Sequence, residues 1–480
     1  MLDSVAVTRP AIGRFWRTPW PWLVGALLLA SFALLRGRDD APADPRPMGT
    51  ADDILALAER DDVNVLFVLI DTLRAHRLSA YGYPRPTTPF LGFLASQGVR
   101  FDRHTGQSSW TKCSMASLWT GLYPQRSGVT RFEDVIPEEA RTAAEIFRDA
   151  GFRTAGIWRN GWVEGYFGFD QGFEVYTRPN ARRPSVEVLR ENPTFTHRGS
   201  DFDAVDTAAE FLRVYGRERW FLYLHLMDVH EYTYTPESAK FGSTYGDIYD
   251  NAILHTDQVL GELFGLLYEG GHLDETLWIV GSDHGEAFGE RGSEGHARNV
   301  YPETTEVPLI LGLPFRLERP AVVRGRTANV DLWPTVLDLL GLPPLDDPDG
   351  RSKVPEMLAA ARGEAAPEDA PAAIAHLDQT WGQRVPTRSP NVSVVDGEFS
   401  YLLFGAPDGA AREELYRLGA REWEREDLAR EQPEVAARMR AQAKEYLAQE
   451  PSWTEPNSGL ELDEIQLEQL RALGYAVPGR

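Results

Sequence analysis

The chain has 480 residues, 42% of them hydrophobic, which is enough for a packed core in one large domain with an accessory unit and excludes a disordered chain. A formal net charge of -23 sets it against nucleic acid and anionic surfaces, so a site that takes an anion needs a cation of its own. Its single cysteine, Cys113, excludes intrachain disulfides and thiolate zinc clusters, leaving carboxylate, imidazole and hydroxyl groups as metal ligands.

Residues 1–19 form a basic segment with Arg9, Arg14 and Arg17, and residues 20–35 (WPWLVGALLLASFALL) are almost wholly apolar. This pattern predicts an uncleaved transmembrane signal anchor with a cytoplasmic N-terminus, a removed signal peptide being the alternative. The expected location is therefore membrane-anchored, with everything after Leu35 outside the cytoplasm, periplasmic or extracellular. Residues 36–60, made mostly of Asp, Ala, Pro and Arg, read as a linker ending in a short helix, ADDILALAER.

The folded part is expected over residues 61–350. NVLFVLID (64–71) is a continuous apolar run ending in an acid, as in a strand buried on both faces of a parallel sheet. RWFLYLHLMDVH (219–230) and TLWIVGSDHGE (276–286) repeat the format. Helical patterns lie between them in TPFLGFLASQG, ARTAAEIFRDAG and HTDQVLGELFGLLYEGG, each closing on glycine. The alternation predicts an α/β fold with a large, mainly parallel sheet flanked by helices. Residues 351–373, rich in Ala, Pro, Glu and Arg, read as a connection. Residues 374–480 read as a small C-terminal α+β domain, with a hairpin in SVVDGEFSYLLFG, a helix in REELYRLGAREWEREDLA and a terminal amphipathic helix in ELDEIQLEQLRALGY.

In open α/β sheets ligands bind at the carboxyl ends of the strands. Asp71, Asp283 and His284 stand there on two strands, and Asp228 and His230 on a third. One acid after a strand is commonly a helix cap or turn residue, but acids and imidazoles recurring on three strand ends are what a divalent metal requires. The candidate nucleophile lies in SSWTKCSMASLWTGLYPQRSGV, where Thr111 opens a helix that ends near Gly121. Free amides and the helix dipole at such an end stabilise an anion, while a plain N-cap role for Thr111 or Ser108 is the alternative.

The run from Asn64 through DTLRAHRLSAYGYPRPTTPFLGFLASQGVRFD, with SDHGEAFGE, VPLILGLP, DLWPTVLDLLGLP and ELYRL in order, resembles the sulfatases, a branch of the alkaline phosphatase superfamily. The resemblance implies a large α/β domain with a metal at the strand ends and a small domain around a short antiparallel sheet. It implies hydrolysis of sulfate or phosphate esters, with a membrane-bound head-group transferase or a catalytically inactive binding protein as alternatives. The family motif C-x-P-x-R places its nucleophile at a fixed distance before T-G. Counting back from Thr120-Gly121 puts Thr111 in that place, with Cys113 at the proline and Met115 at the arginine, so Cys113 is expected to be a packing residue.

Thr72 stands where many members have a second aspartate, and His284 where asparagine is usual. The expected ligands are Asp71, Thr111, Asp283 and His284, for a divalent ion (manganese, zinc, magnesium or calcium) whose site is more like manganese or zinc chemistry than calcium chemistry. By the same resemblance, His230, His296, Arg159 and Asn160 are candidate contacts for the substrate anion, with a structural hydrogen-bonding role for the two histidines as the alternative. The expected partners are an anionic ester and, through the N-terminal helix, a membrane.

Overall fold

The computed structural model describes residues 44–180, 199–365, 371–378, 389–405, 412–418 and 426–454, together with Gln466 and Leu470. The expected anchor at 20–35 and most of the expected terminal helix lie outside these residues. No helix among them is long and apolar enough to cross a membrane. Every element below lies in the compact unit Arg46–Arg480.

Eight strands form the large sheet: β1 Asn64–Ile70, β2 Val99–Thr105, β3 Arg153–Trp158, β4 Val175–Thr177, β5 Trp220–Leu226, β6 Thr276–Gly281, β7 Glu306–Gly312 and β8 Ala321–Ala328. Their order is β8-β2-β7-β6-β1-β5-β3-β4, and only β7 runs antiparallel to its neighbours. The expected α/β architecture is therefore the one observed.

Strand β1 shows why its run is apolar throughout. Alternate side chains point to opposite faces, so Val65, Phe67 and Leu69 enter one core and Leu66, Val68 and Ile70 the other. The first core packs under α1 Ala51–Ala56, α3 Thr111–Thr120, α4 Ala143–Asp149 and α7 Leu332–Leu339; the second under α2 Pro89–Ser96, α5 Asp201–Tyr215 and α6 Tyr245–Gly270. Each fully buried side chain of this size contributes roughly 1.5–3 kcal/mol, so both faces favour one register.

Three expectations are corrected. The linker reading fails from Arg46 onward: Met48–Gly49 pairs with Arg316–Leu317, the Arg46 guanidinium donates to the Leu313 carbonyl, and Ile54 and Leu57, one helical turn apart, are buried. Within the expected connection, α8 Val354–Arg362 packs against β8 through the buried Val354 and Met357. The small domain is a four-stranded antiparallel sheet, β9 Ala373–Leu377, β10 Asn391–Asp396, β11 Phe399–Phe404 and β12 Arg412–Arg417, followed by α9 Pro433–Leu447. The hairpin is β10–β11 as expected, but REELYR, read as helix, is strand β12. Its Glu413 ties the sheet to α9 through Arg440, and that contact overrides the helical propensity of the charged run.

Candidate active site

Four neighbouring parallel strands, β6-β1-β5-β3, bring the chemistry together at their carboxyl ends. His225, near the end of β5, lies in register with Leu69 of β1 and Trp158 of β3, while Gly281 of β6 lies opposite Leu69. Adjacent strands run roughly 4.8 Å apart, so Asp71, Asn160, Asp283 and His284, each just past a strand end, converge on one spot.

The hydrogen bonds there fix the protons. Asp71 Oδ2 accepts from Asn160 Nδ2 at 2.6 Å and from His225 Nε2 at 3.0 Å. With the His225 proton on Nε2, its Nδ1 accepts from the Tyr223 hydroxyl at 2.7 Å. His284 Nδ1 lies 3.0 Å from the Gly285 carbonyl, to which it can only donate, so the neutral ring presents a lone pair at Nε2. Thr111 Oγ1 lies 3.2 Å from that nitrogen and 3.3 Å from Asn160 Nδ2.

Thr111 is the first residue of α3. Trp110 is the N-cap and makes no side-chain cap bond, so the Thr111 hydroxyl is not spent on capping; Ser108 accepts from the Trp110 amide instead. Ser114 Oγ, on the next turn, donates to the Asp283 carbonyl at 2.7 Å. The approach is close enough that a Cβ on Gly106 would stand 2.2 Å from the same carbonyl oxygen, so only glycine fits there. Thr72 holds φ of 61°, costly for a β-branched residue, and its amide donates to Asp283 Oδ1.

Asp71, Asp283 and His284 are fully buried and offer ligand atoms within 4.8 Å of one another. Among the described residues, Asp71 Oδ1 and Asp283 Oδ2 have no hydrogen-bond partner. Two unpaired carboxylate oxygens, an imidazole lone pair and a hydroxyl facing one point are a donor set for a divalent cation, because buried anions without partners are otherwise expensive. Burial raises the Asp283 carboxyl above its usual range, and the neighbouring Asp71 adds to this. Burial also opposes charge on Asp71, but the imidazoles of His230, His225 and His284 outweigh it and hold that carboxyl well below its ordinary value.

The remaining expected residues divide. His230 lies with its ring 5.1 Å from that of His296, which is 4.7 Å from the ring of His284. Burial pushes the His230 imidazole down to about 4, and its Nε2 has no hydrogen-bond partner. Burial works against the His296 cation too, yet Glu286, 3.2 Å from its Nδ1, raises it. Asn160 belongs to the group, but Arg159 does not. Its guanidinium donates to Asp201 at 2.5 Å, Asp228 at 2.7 Å and Glu231 at 2.7 Å, so neither Arg159 nor Asp228 faces the site. Cys113 is buried in the core, its thiol pushed up to about 12 by burial, as a packing residue would be.

Sequence reasoning missed His225, Tyr223 and Glu286. The signal for His225 was present: an imidazole inside a strand with both faces buried needs a partner.

A family model described as Sulfatase matches residues 63–342. An ulvan-active sulfatase of Formosa agariphila is 26% identical over 330 residues, 60% of this chain and 63% of that protein. Arylsulfatase K of Homo sapiens is 22% identical over 398 residues, 70% of this chain and 71% of that protein. The chain thus spans about two-thirds of the length of these curated relatives. A phosphonate monoester hydrolase of Agrobacterium radiobacter superposes with a TM-score of 0.63 at 20% identity, covering 80% of this chain and 95% of that one. A 2-O GAG sulfatase superposes with a TM-score of 0.64 at 19% identity over 80% and 92%, a likeness of fold. With a family match over more than half of its length and this fold around the strand-end cluster, the chain belongs to the sulfatase family.

Proposed function

We propose that the protein is a metal-dependent hydrolase of sulfate or phosphate esters that works through a covalent ester of Thr111. The observation that carries this reading is the place of the Thr111 hydroxyl. It stands at a buried helix N-terminus, within 3.3 Å of Asn160 Nδ2 and His284 Nε2, and that same His284 nitrogen lies 3.7 Å from Asp71 Oδ1 and 3.3 Å from Asp283 Oδ2. The named activities of the relatives support ester hydrolysis.

Asp71, Asp283 and His284 would hold the divalent ion, with Thr111 beside them. A cation in that place supplies charge that offsets the anionic transition state and lowers the pKa of a nearby hydroxyl. The Asn160 amide, 3.3 Å away, orients the Thr111 oxygen, and the first-turn amides of α3 favour negative charge beside it. Thr111 Oγ passes its proton to solvent water and bonds to sulfur or phosphorus, while the bond to the leaving oxygen breaks and the departing alcohol takes a proton from water. Because a threonine ester has no hemiacetal to collapse, water must then attack the same central atom, returning the hydroxyl and releasing sulfate or phosphate. His230 and His296, whose rings lie 5.1 Å apart with His296 4.7 Å from His284, would hold the anion. We further propose that residues 20–35 anchor the protein with this domain outside the cytoplasm; protection of the domain from protease added to cells stripped of any outer envelope, with the cytoplasmic membrane intact, would refute that.

Turnover by the Thr111→Ala variant should fall by at least about a thousandfold, with metal content and unfolding midpoint little changed. Mass spectrometry of acid-quenched wild-type enzyme should find a sulfuryl or phosphoryl adduct on the Thr111 peptide. Cys113→Ala should stay within about twofold of wild type. Full activity in Thr111→Ala, or its complete loss in Cys113→Ala, would transfer the role to the cysteine.

A further inference from the structure

We propose that Tyr232 and Tyr245 form the subsite for the leaving alcohol, and that it selects an uncharged ring, sugar or aryl, over a leaving group carrying further anionic groups. The inference rests on the hydrolysis proposed above and names its substrate class.

A run of touching side chains leads from the nucleophile to these tyrosines. Thr111 meets His284, the His284 ring lies against His296, and Glu286 joins His296 to Tyr232, whose hydroxyl donates to Glu286 Oε2 at 3.1 Å. With that proton committed, the Tyr245 hydroxyl donates to Tyr232 at 2.5 Å. The rings stand 5.1 Å apart, and Tyr245, 37% exposed, is the open end of the run. The turn that sends His230 inward delivers Tyr232 two residues later, with φ of 54°, a conformation uncommon for a bulky residue and typical of functional sites.

The pair is held rigidly from behind. Tyr249 lies 6.0 Å from Tyr232, and Phe288 packs edge-on against both Tyr245 and Tyr249. An aromatic surface ordered before binding loses little entropy when a flat ring stacks on it. Both hydroxyls are already engaged, so the surface offers ring face rather than charge.

The electrostatics add the second half of the proposal. The Glu286 carboxylate lies directly behind the pair, 3.1 Å from the Tyr232 hydroxyl, and burial together with acidic charge raises the Tyr245 phenol. Arg74 and Arg77, whose guanidinium groups lie over the Phe288 ring, are paired with Glu290 and Asp250. A second sulfate on the leaving group would meet net negative charge here.

The test uses the full chain and its Tyr245→Ala and Tyr245→Leu variants. Substrates are the 4-nitrophenyl, methyl-glucoside and butyl monoesters of whichever acid the wild type releases, and a glucoside bearing two such groups. In both variants KM for the ring esters should rise roughly three- to tenfold, with kcat and the butyl ester within about twofold. A rise confined to one ring ester identifies phenol or sugar as the natural class. The wild type should favour the singly over the doubly esterified glucoside. Equal losses for ring and butyl esters, unchanged ring esters, or preference for the doubly esterified sugar would overturn the subsite. Wild-type protein that turns over no ester would defeat the hydrolase reading instead. Calorimetric binding of the free 4-nitrophenol and methyl glucoside then decides the subsite separately: binding weakened by Tyr245→Ala supports it, and equal or absent binding overturns it.

Discussion

Arg159 and Asn160 are consecutive, and the sequence offers no reason to separate them, yet the extended backbone past β3 turns them to opposite sides. Asn160 reaches Asp71 and Thr111, while Arg159 enters a cluster of carboxylates at the start of α5. Asp71, Asp283 and His284 were legible because each follows an apolar strand directly. The His225 signal was ambiguous, because an imidazole within such a strand needs a partner but does not name one until its register is known. Its position argues for more than packing: donating to Asp71 Oδ2, it leaves Oδ1 as the oxygen facing the cluster. Residues that orient ligands in this way typically govern affinity by about 10- to 100-fold. His225→Ala should therefore weaken Mn²⁺ or Zn²⁺ binding by that factor in chelator-competition titrations, with far-UV circular dichroism unchanged. Unaltered affinity would reduce His225 to a filler of the core.

At the level of elements, the periodicities of β1, β5, β6 and the long helices carried the fold, because burial on both faces leaves a clear apolar run. Among the elements the sequence reading did not give correctly, β12 and α8 are short, and only their neighbours decide them. The pairing of β2 with β8 carries a consequence for pH. His104 on β2 is buried between Thr327 on β8 and Asn329, with 2.8 Å to each. Asn329 Nδ2 donates to the Ser282 carbonyl, so its oxygen faces His104 and accepts from Nε2, and the neutral ring satisfies both partners. Burial pushes this imidazole from 6.5 to about 4. The unfolded chain thus binds a proton that the folded chain refuses between these values. The stability this neutral ring contributes is complete above pH 6.5 and is lost as pH falls toward 4, by about 3 kcal/mol at most. Urea unfolding of wild type at pH 5 and 7.5 should show about 2 kcal/mol of that loss, and His104→Gln should narrow the gap between the two pH values. A gap of the same size in the variant would assign the acid sensitivity elsewhere.

Across the whole molecule, the small sheet is not a detached appendage of the catalytic part. Ala375, Leu377, Leu402 and Tyr416 share one hydrophobic cluster with Cys113, Met115 and Trp119 of α3. The His376 amide donates to the Gln107 carbonyl, four residues before Thr111, and the Cys113 thiol points to the His376 carbonyl. Composition suggested a seam, since the stretch between the two parts looks like a connection; the continuity of the core depends on contacts hundreds of residues apart in the chain. Tyr446 of α9 closes this seam. Its hydroxyl accepts from the Gln125 amide at 2.9 Å and donates to His376 Nδ1 at 2.9 Å. Tyr446→Phe keeps the ring but strands a buried amide, at a cost of about 1–3 kcal/mol. If the two parts unfold as one body, that cost should lower the denaturant midpoint of a single transition and leave its slope unchanged, because the surface exposed on unfolding is the same. A second, earlier transition in the variant, with activity surviving it, would show that the small sheet can detach while the Thr111 helix holds its place unaided.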